Sequence, residues 1–167
     1  MHFATHGFYN SVSDKLLKKD LNINNLFTRN MNPLMRSGIL MANANETWVK
    51  KKSLISEIDG VLTALEISNL NLNNTMLVVL SACDSGLGDL HGNEGVYGLQ
   101  RGFKLAGVKF LVLSLWQVGD EESKIFMENF YKKLVEGMEI HLAFNKTQKM
   151  MRNKYKDIDK WGAWVLI

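Results

Sequence analysis

The stretch "LVVLSACDSGLG" (Leu77–Gly88) starts as an apolar strand and ends in a glycine-containing turn. The surrounding run Met76–Ala82 is continuous and rich in valine and leucine, which is typical of a strand buried on both faces of a parallel sheet. Cys83, the only cysteine of the chain, follows this run directly. Because functional groups of α/β sheets collect beyond the carboxyl ends of the strands, Cys83 is expected at a functional edge.

Further apolar patterns alternate between strand and helix along the second half of the chain. The run Lys109–Trp116 predicts a second buried strand, and "WVLI" predicts a third at the end of the sequence. Helices are predicted for "NEGVYGLQRGFKLAG", "GDEESKIFMENFYKKLVEG" and "HLAFNKTQKMMRNKY". This alternation predicts an α/β fold, with a mostly parallel sheet flanked by helices.

The ends of two of these helices carry recognisable signals. Asp120 is a natural N-cap for the second helix, and Gly137 is expected to stop it. Gly107 is a suitable C-cap for the first helix. The large aromatic side chains lie in or beside apolar segments and are expected in the core; they are Phe103, Trp116, Phe130, Trp161 and Trp164.

Composition excludes several classes of protein. A chain of 167 residues is sufficient for one domain with its own core. The net charge of +3, from 20 basic and 17 acidic side chains, gives little support to nucleic-acid binding. The single cysteine excludes an internal disulfide. We see no signal-peptide pattern and no run of about 20 apolar residues that could span a bilayer. The expectation is a soluble, cytoplasmic protein without a membrane partner.

The glycines after Cys83 do not form a nucleotide-binding motif. After Gly86 and Gly88, the dinucleotide pattern needs a third glycine at position 91, where the chain has His91, and the phosphate-loop ending is absent. Metal binding is also poorly supported, because His2 and His6 would lie some 13 Å apart in an extended segment. We therefore expect neither a metal nor a cofactor.

A second short phrase, "HFATHGF" (His2–Phe8), places His6 at the end of another apolar segment. If this segment and the Cys83 strand are parallel neighbours, both side chains emerge at the same edge of the sheet. A cysteine nucleophile and its histidine need not be close in sequence. The alternative is that Cys83 is a small buried hydrophobic residue and His6 a turn residue. These patterns leave both interpretations open.

Several motifs that follow one another along the chain resemble those of one protein family. "ATHG" followed by "LSACDSG" resembles the histidine and cysteine motifs of caspase-like cysteine peptidases, and in particular the CHAT-domain family, relatives of separase. The segments "NPLMRSGILMANAN", "GNEGVYGLQRGFKLAGVKFLVLSLWQVGD" and "WGAWVLI" also resemble successive CHAT segments. The resemblance covers nearly all of the sequence.

The resemblance implies a caspase-like fold and a Cys–His dyad of Cys83 and His6 that cleaves a protein or peptide through a thioester. The backbone N–H groups of Gly7 and Cys83 are the expected oxyanion donors. Asp120 matches an acidic residue that lines the specificity pocket of separase-type enzymes, which suggests cleavage after a basic residue. Asp84 is a second candidate for the pocket wall.

The chain also departs from the family pattern. It begins almost on the strand that leads to His6, so residues 1–167 are expected to form a single CHAT domain that lacks its leading strands. The open sheet edge is then expected to be covered by a partner chain or by a missing N-terminal segment, often helical repeats in the family. Truncation keeps an alternative function open, namely a catalytically inactive scaffold or signalling module with the same fold.

Overall fold

The computed structural model describes residues 1–9, 32–42, 44, 59–81 and 95–167. The strands in these residues are β1 (His2–Phe3), β2 (Gly7–Tyr9), β3 (Ser37–Leu40), β4 (Val61–Thr63), β5 (Leu77–Leu80), β6 (Phe110–Ser114) and β7 (Trp164–Leu166). The helices are α1 (Ala64–Ser68), α2 (Gly95–Leu105), α3 (Asp120–Val135) and α4 (Ile140–Lys154). Short 3-10 turns cover Pro33–Met35 and Ile158–Lys160.

The central sheet has the strand order β1-β5-β6-β7. β5 pairs in parallel with β1 and with β6, whereas β7 pairs with β6 in the antiparallel direction. Alternate residues of β5 point to opposite faces: Val79 joins one buried cluster, and Val78 and Leu80 join the other. The predicted strand buried on both faces is confirmed, because a continuous apolar run supplies apolar side chains to both layers.

One face of the sheet is covered by α3 and α4. Phe126 and Phe130 of α3 pack with Phe144 of α4 in a fully or nearly fully buried cluster. Both helices were predicted from their apolar periodicity. Gly137 ends α3 as expected and has a φ of 85°, which glycine adopts without strain.

The Asp120 N-cap prediction is wrong. The N-cap of α3 is Gly119, which makes no side-chain capping bond, and Asp120 is the first helical residue. A carboxylate there still interacts favourably with the positive end of the helix dipole.

The other face is covered by α2, α1 and a second sheet. Leu99 and Phe103 of α2 are buried against Val78 and Leu80 of the central sheet, as the helical pattern predicted. Gly107, with a φ of 98°, follows the end of α2 as expected. The predicted α/β fold with a mostly parallel sheet flanked by helices is therefore confirmed, and it has the layered arrangement of the caspase-like class.

The second sheet was not predicted. It is antiparallel, with the order β2-β3-β4, and its strands are three or four residues long. Such short segments show too little periodicity to be recognised. The pairing of Gly7 with Ile39 and of Leu40 with Val61 joins residues far apart in the sequence.

Most of the aromatic core prediction holds. Phe103, Phe130 and Trp164 are almost fully buried, while Trp116 and Trp161 are partly buried against the α3–α4 cluster. In the described part of the chain, no helix combines the length and apolarity needed to cross a bilayer.

Candidate active site

A cleft of about 430 Å³ opens where β1, β5 and β6 end. Its floor is formed by buried side chains and its walls by polar groups. The floor residues are Ser114, Val118, Met127 and Trp164. One wall consists of Ala4–His6 and Ser81, and a second belongs to α3. This is the edge at which a parallel sheet presents its functional groups.

His6 lies in the first wall, at the junction between the two sheets. β1 ends at Phe3 and β2 starts at Gly7, so the three residues Ala4–His6 connect the central sheet to the antiparallel sheet. The carbonyl of His6 accepts a hydrogen bond of 2.8 Å from the Leu40 N–H. The imidazole itself is exposed in the cleft.

Gly7 follows His6 with its backbone buried. Antiparallel pairs alternate between those that share hydrogen bonds and those that do not. Because Leu40 donates to His6, the next pair, Gly7 with Ile39, is of the second kind. The N–H of Gly7 therefore points away from β3.

The strand that leads to Cys83 runs beside the strand that leads to His6. His2 pairs with Val79 and Phe3 with Leu80, an offset of 77 residues, and Cys83 lies the same 77 residues beyond His6. The Ser81 N–H continues this pairing, since it donates to the Phe3 carbonyl at 2.9 Å. Cys83 and Asp84 lie outside the described residues.

One face of α3 forms the second wall and, at Met127, part of the floor. Asp120, Ser123, Lys124 and Met127 line the cleft, at the i, i+3, i+4 and i+7 positions of a helix. Of these four residues, only Asp120 was predicted from the sequence. Ser123, Lys124 and Met127 could have been found from the sequence, because they follow Asp120 at helical spacing.

Asp120 and Lys124 bring opposite charges to this wall. Lys124 makes an ion pair with Glu128 at 3.8 Å, but both side chains are well exposed, so the pair contributes little. In the residues that the structure describes, Asp120 has no ion-pair partner. Its carboxylate is exposed at the rim and can accept a hydrogen bond from a cationic ligand.

Glu122, two residues further along, is directed elsewhere. Its carboxylate contacts the Lys160 ammonium at 3.2 Å, and this links the first turn of α3 to the 3-10 turn Ile158–Lys160. The pKa of Glu122 is lowered, first by its own backbone N–H and then by Lys160, whose own pKa is raised by the same contact. Beside this link, the Trp116 indole N–H donates to the Asp159 carbonyl at 3.1 Å. Asp120 is thereby flanked by an anchored residue on each side, Trp116 before it and Glu122 after it.

His2 lines the cleft next to α3. Its Nδ1 lies 3.0 Å from the Tyr131 hydroxyl, and the two rings are tilted with their centroids 5.7 Å apart. Burial against this helix lowers the pKa of His2, and the positive chain terminus lowers it further. His2 therefore favours the neutral form, which can accept a hydrogen bond from Tyr131.

Across the described ranges, no three histidine, cysteine, aspartate or glutamate side chains form a group able to hold a metal ion. The structure brings His6, Gly7 and Asp120 to one part of the molecule, although they lie far apart in sequence. An imidazole, a backbone N–H and a carboxylate are thus grouped near one cleft, where they can exchange a proton, donate a hydrogen bond and accept one.

The chain is similar to known proteins in two comparisons. A family model described as CHAT domain matches residues 1–167. Tetratricopeptide repeat protein 28 of Mus musculus is 28% identical over 109 residues, and the Homo sapiens protein of the same name is 29% identical over 109 residues. Each alignment covers 64% of this chain and 4% of the relative, so the chain corresponds to a small part of these proteins.

Proposed function

The chain belongs to the CHAT-domain family, and from this premise we propose that it is a cysteine endopeptidase that uses Cys83 and His6. The observation that carries the proposal is the shared cleft, which both His6 and Ser81 line. Ser81 precedes Cys83 by two residues, and two residues span at most about 7 Å. This reach allows the Cys83 thiol to enter the cleft that holds the imidazole.

The proposed reaction has two steps. The Cys83 thiolate attacks the scissile carbonyl carbon, and the C–N bond then breaks as the His6 imidazolium gives its proton to the leaving amine. This leaves a thioester on Cys83. Water attacks the thioester after losing a proton to His6, and the carboxylic acid product departs as the sulfur returns to its initial state.

The negative charge that develops on the carbonyl oxygen needs hydrogen-bond donors. The N–H of Gly7 supports this role, because it is directed away from β3 and lies next to His6. We assign Gly7 and the backbone N–H of Cys83 as the oxyanion donors. Such donors act most strongly when they are already oriented before reaction, as a strand residue is.

We also propose that Asp120 selects a basic residue on the acyl side of the cleaved bond. Its carboxylate lines the same cleft as His6 and has no ion-pair partner among the described residues. An arginine or lysine side chain would form a charge-assisted hydrogen bond with it. Asp84 stays a second candidate for this pocket.

The dyad is tested by labelling with a peptidyl acyloxymethyl ketone that ends in arginine. Because Cys83 is the only cysteine, the mass of the labelled protein reports that residue alone. Cys83→Ala should abolish labelling, and His6→Ala should slow it roughly 100-fold or more. His141→Ala, at an exposed histidine outside the cleft, is the matched control and should label at the wild-type rate.

Equal labelling of wild type and His6→Ala would refute the dyad. Labelling no faster than that of free cysteine would have the same meaning. Either outcome would favour the alternative function, a scaffold or signalling module with a peptidase fold.

The substrate preference is tested by a second substitution. Asp120→Asn should slow labelling by the arginine-terminated ketone by roughly 10- to 100-fold, since a hydrogen bond to a charged group is lost. Labelling by a leucine-terminated ketone should stay the same. Glu121→Gln removes a neighbouring exposed carboxylate that does not line the cleft and is the matched control. If the wild-type protein reacted faster with a ketone that ends in leucine or glutamate than with the arginine-terminated one, the role of Asp120 would be contradicted.

A further inference from the structure

The three residues that connect the two sheets are held on both sides. On one side, the Phe3 carbonyl accepts from the Ser81 N–H at 2.9 Å, which ties the end of β1 to β5. On the other side, the Leu40 N–H donates to the His6 carbonyl at 2.8 Å, which ties the start of β2 to β3. His6 therefore takes its position from both sheets at once, while β5 leads towards Cys83.

Thr5 lies between these two anchor points, and its side chain makes a further link. The Thr5 hydroxyl donates a hydrogen bond to the Leu40 carbonyl. Leu40 thus accepts from Thr5 through its carbonyl and donates to His6 through its N–H. These two hydrogen bonds, which we call the Leu40 clasp, fix consecutive residues of the connection to one residue of β3.

Leu40 is itself well held. It pairs with Val61 of β4, and the next residue, Met41, donates to the Gly60 carbonyl at 2.7 Å. The preceding residues of β3, from Ser37 to Ile39, are buried. The clasp therefore joins the connection to a rigid part of the second sheet.

The orientation of His6 depends on its backbone. The imidazole is exposed, and within the described ranges no hydrogen bond to either ring nitrogen is found. Packing and side-chain partners consequently do little to orient the ring. A histidine that exchanges protons with a nucleophile must nevertheless keep its geometry, because small displacements at a reacting centre cost a large part of the rate.

We propose that Thr5 is a positioning residue for His6, acting through the Leu40 clasp. The inference rests on the proposed peptidase function and adds a residue to it. The Thr5 hydroxyl takes no part in the proposed bond-making steps, because it donates to the Leu40 carbonyl. It holds the connection between the sheets so that the imidazole faces the end of β5.

The test compares labelling rates with the arginine-terminated ketone. Thr5→Val keeps the shape of the side chain and removes the donor, and it should slow labelling by roughly 10- to 100-fold. Thr5→Ser retains the hydroxyl and should keep the wild-type rate. Thr147→Val is the matched control: its hydroxyl also donates to a backbone carbonyl, that of Ala143 at 2.8 Å, but it does not line the cleft.

A double-mutant cycle separates positioning from a general loss of structure. In the His6→Ala background, Thr5→Val should cause no further slowing, because the residue that it positions is gone. Amide hydrogen exchange should show faster exchange of the Leu40 N–H in Thr5→Val than in wild type.

Three results would overturn the inference. The first is labelling of Thr5→Val at the wild-type rate. The second is that Thr5→Val slows labelling equally in the presence and absence of the His6 side chain. The third is a tenfold lower labelling rate in Thr5→Ser. The last one applies even if Thr5→Val fails to fold. These results differ from a failure of the proposed dyad, in which His6→Ala would already label at the wild-type rate.

Discussion

At the lip of the cleft, the His2 imidazole and the Tyr131 hydroxyl join β1 to α3. Their contact is 3.0 Å long, and the neutral imidazole can accept a hydrogen bond from the hydroxyl through Nδ1. Protonation of His2 would place a charge in a partly desolvated position next to the positive chain terminus. Protonation of His2 is therefore less favourable in the folded protein than in the unfolded chain.

The sign of this pH effect follows from linkage. The pKa of His2 lies below its ordinary value of 6.5 in the folded protein, so the unfolded chain binds the proton more tightly. Stability should be fully present above about pH 6.5 and should fall as the pH is lowered from there towards the folded pKa. Urea unfolding between pH 5 and pH 8 measures this change, and His2→Gln should reduce it.

Tyr131→Phe provides the matched comparison for His2. It removes the hydroxyl but leaves the ring that desolvates the imidazole, so the pH dependence due to His2 should persist. Parallel stability curves for wild type and His2→Gln between pH 5 and pH 7 would contradict the assignment.

At the scale of elements, α2 approaches its neighbours closely because glycines face them. A Cβ built on Gly102 would lie 2.6 Å from the Ala64 carbonyl oxygen of α1, and one built on Gly98 would collide with the Ser37 side chain. Glycine is ordinarily unfavourable inside a helix. Here it permits α2 to lie directly against α1 and β3, which carries the Leu40 clasp at its end.

Gly102→Ala tests this close packing. Helix propensity alone would stabilise the variant by at most about 1 kcal/mol. Overpacking against a backbone carbonyl should cost roughly 1 to 3 kcal/mol and decide the sign. We expect a lower urea midpoint than in wild type, while Arg101→Ala, at the exposed neighbouring position, should change it little. An increase in stability for Gly102→Ala would show that α2 can move away from α1 at little cost.

At the scale of the whole molecule, the central sheet separates two buried clusters. The α3–α4 cluster includes Phe126, which stacks on Trp164 with centroids 5.1 Å apart and an angle of 19° between the rings. Trp164 also forms part of the cleft floor. The core on this face therefore supports the site directly.

Phe126→Ala should lower the free energy of unfolding by about 3 to 5 kcal/mol, because a fully buried ring is replaced by a cavity. Chemical denaturation measures the loss. Val135→Ala, at the other end of the same helix and 89% exposed, should have almost no effect. A loss below about 1 kcal/mol for Phe126→Ala would mean that the cluster closes around the missing ring.

Prediction from sequence succeeded where one segment carries its own signal. The runs around Val79 and Val112 predicted strands buried on both faces, and the periodicity of α3 and α4 predicted helices. The antiparallel sheet was missed because its short strands are stabilised by distant partners. The Asp120 N-cap was wrong by one residue, since residue type alone does not distinguish an N-cap from the first position of a helix.

The sequence was sufficient to identify the chemistry that the chain carries: one thiol, a histidine after an apolar segment, and a carboxylate at the start of a helix. It was also sufficient for the fold class, because burial imposes a period of two on strands and 3.6 on helices. The tertiary structure decided that His6 and Asp120 line the same cleft and that Ser123, Lys124 and Met127 join them. Which residues reach the cleft depends on strand register and helix rotation. Both are set by packing between segments far apart in the chain.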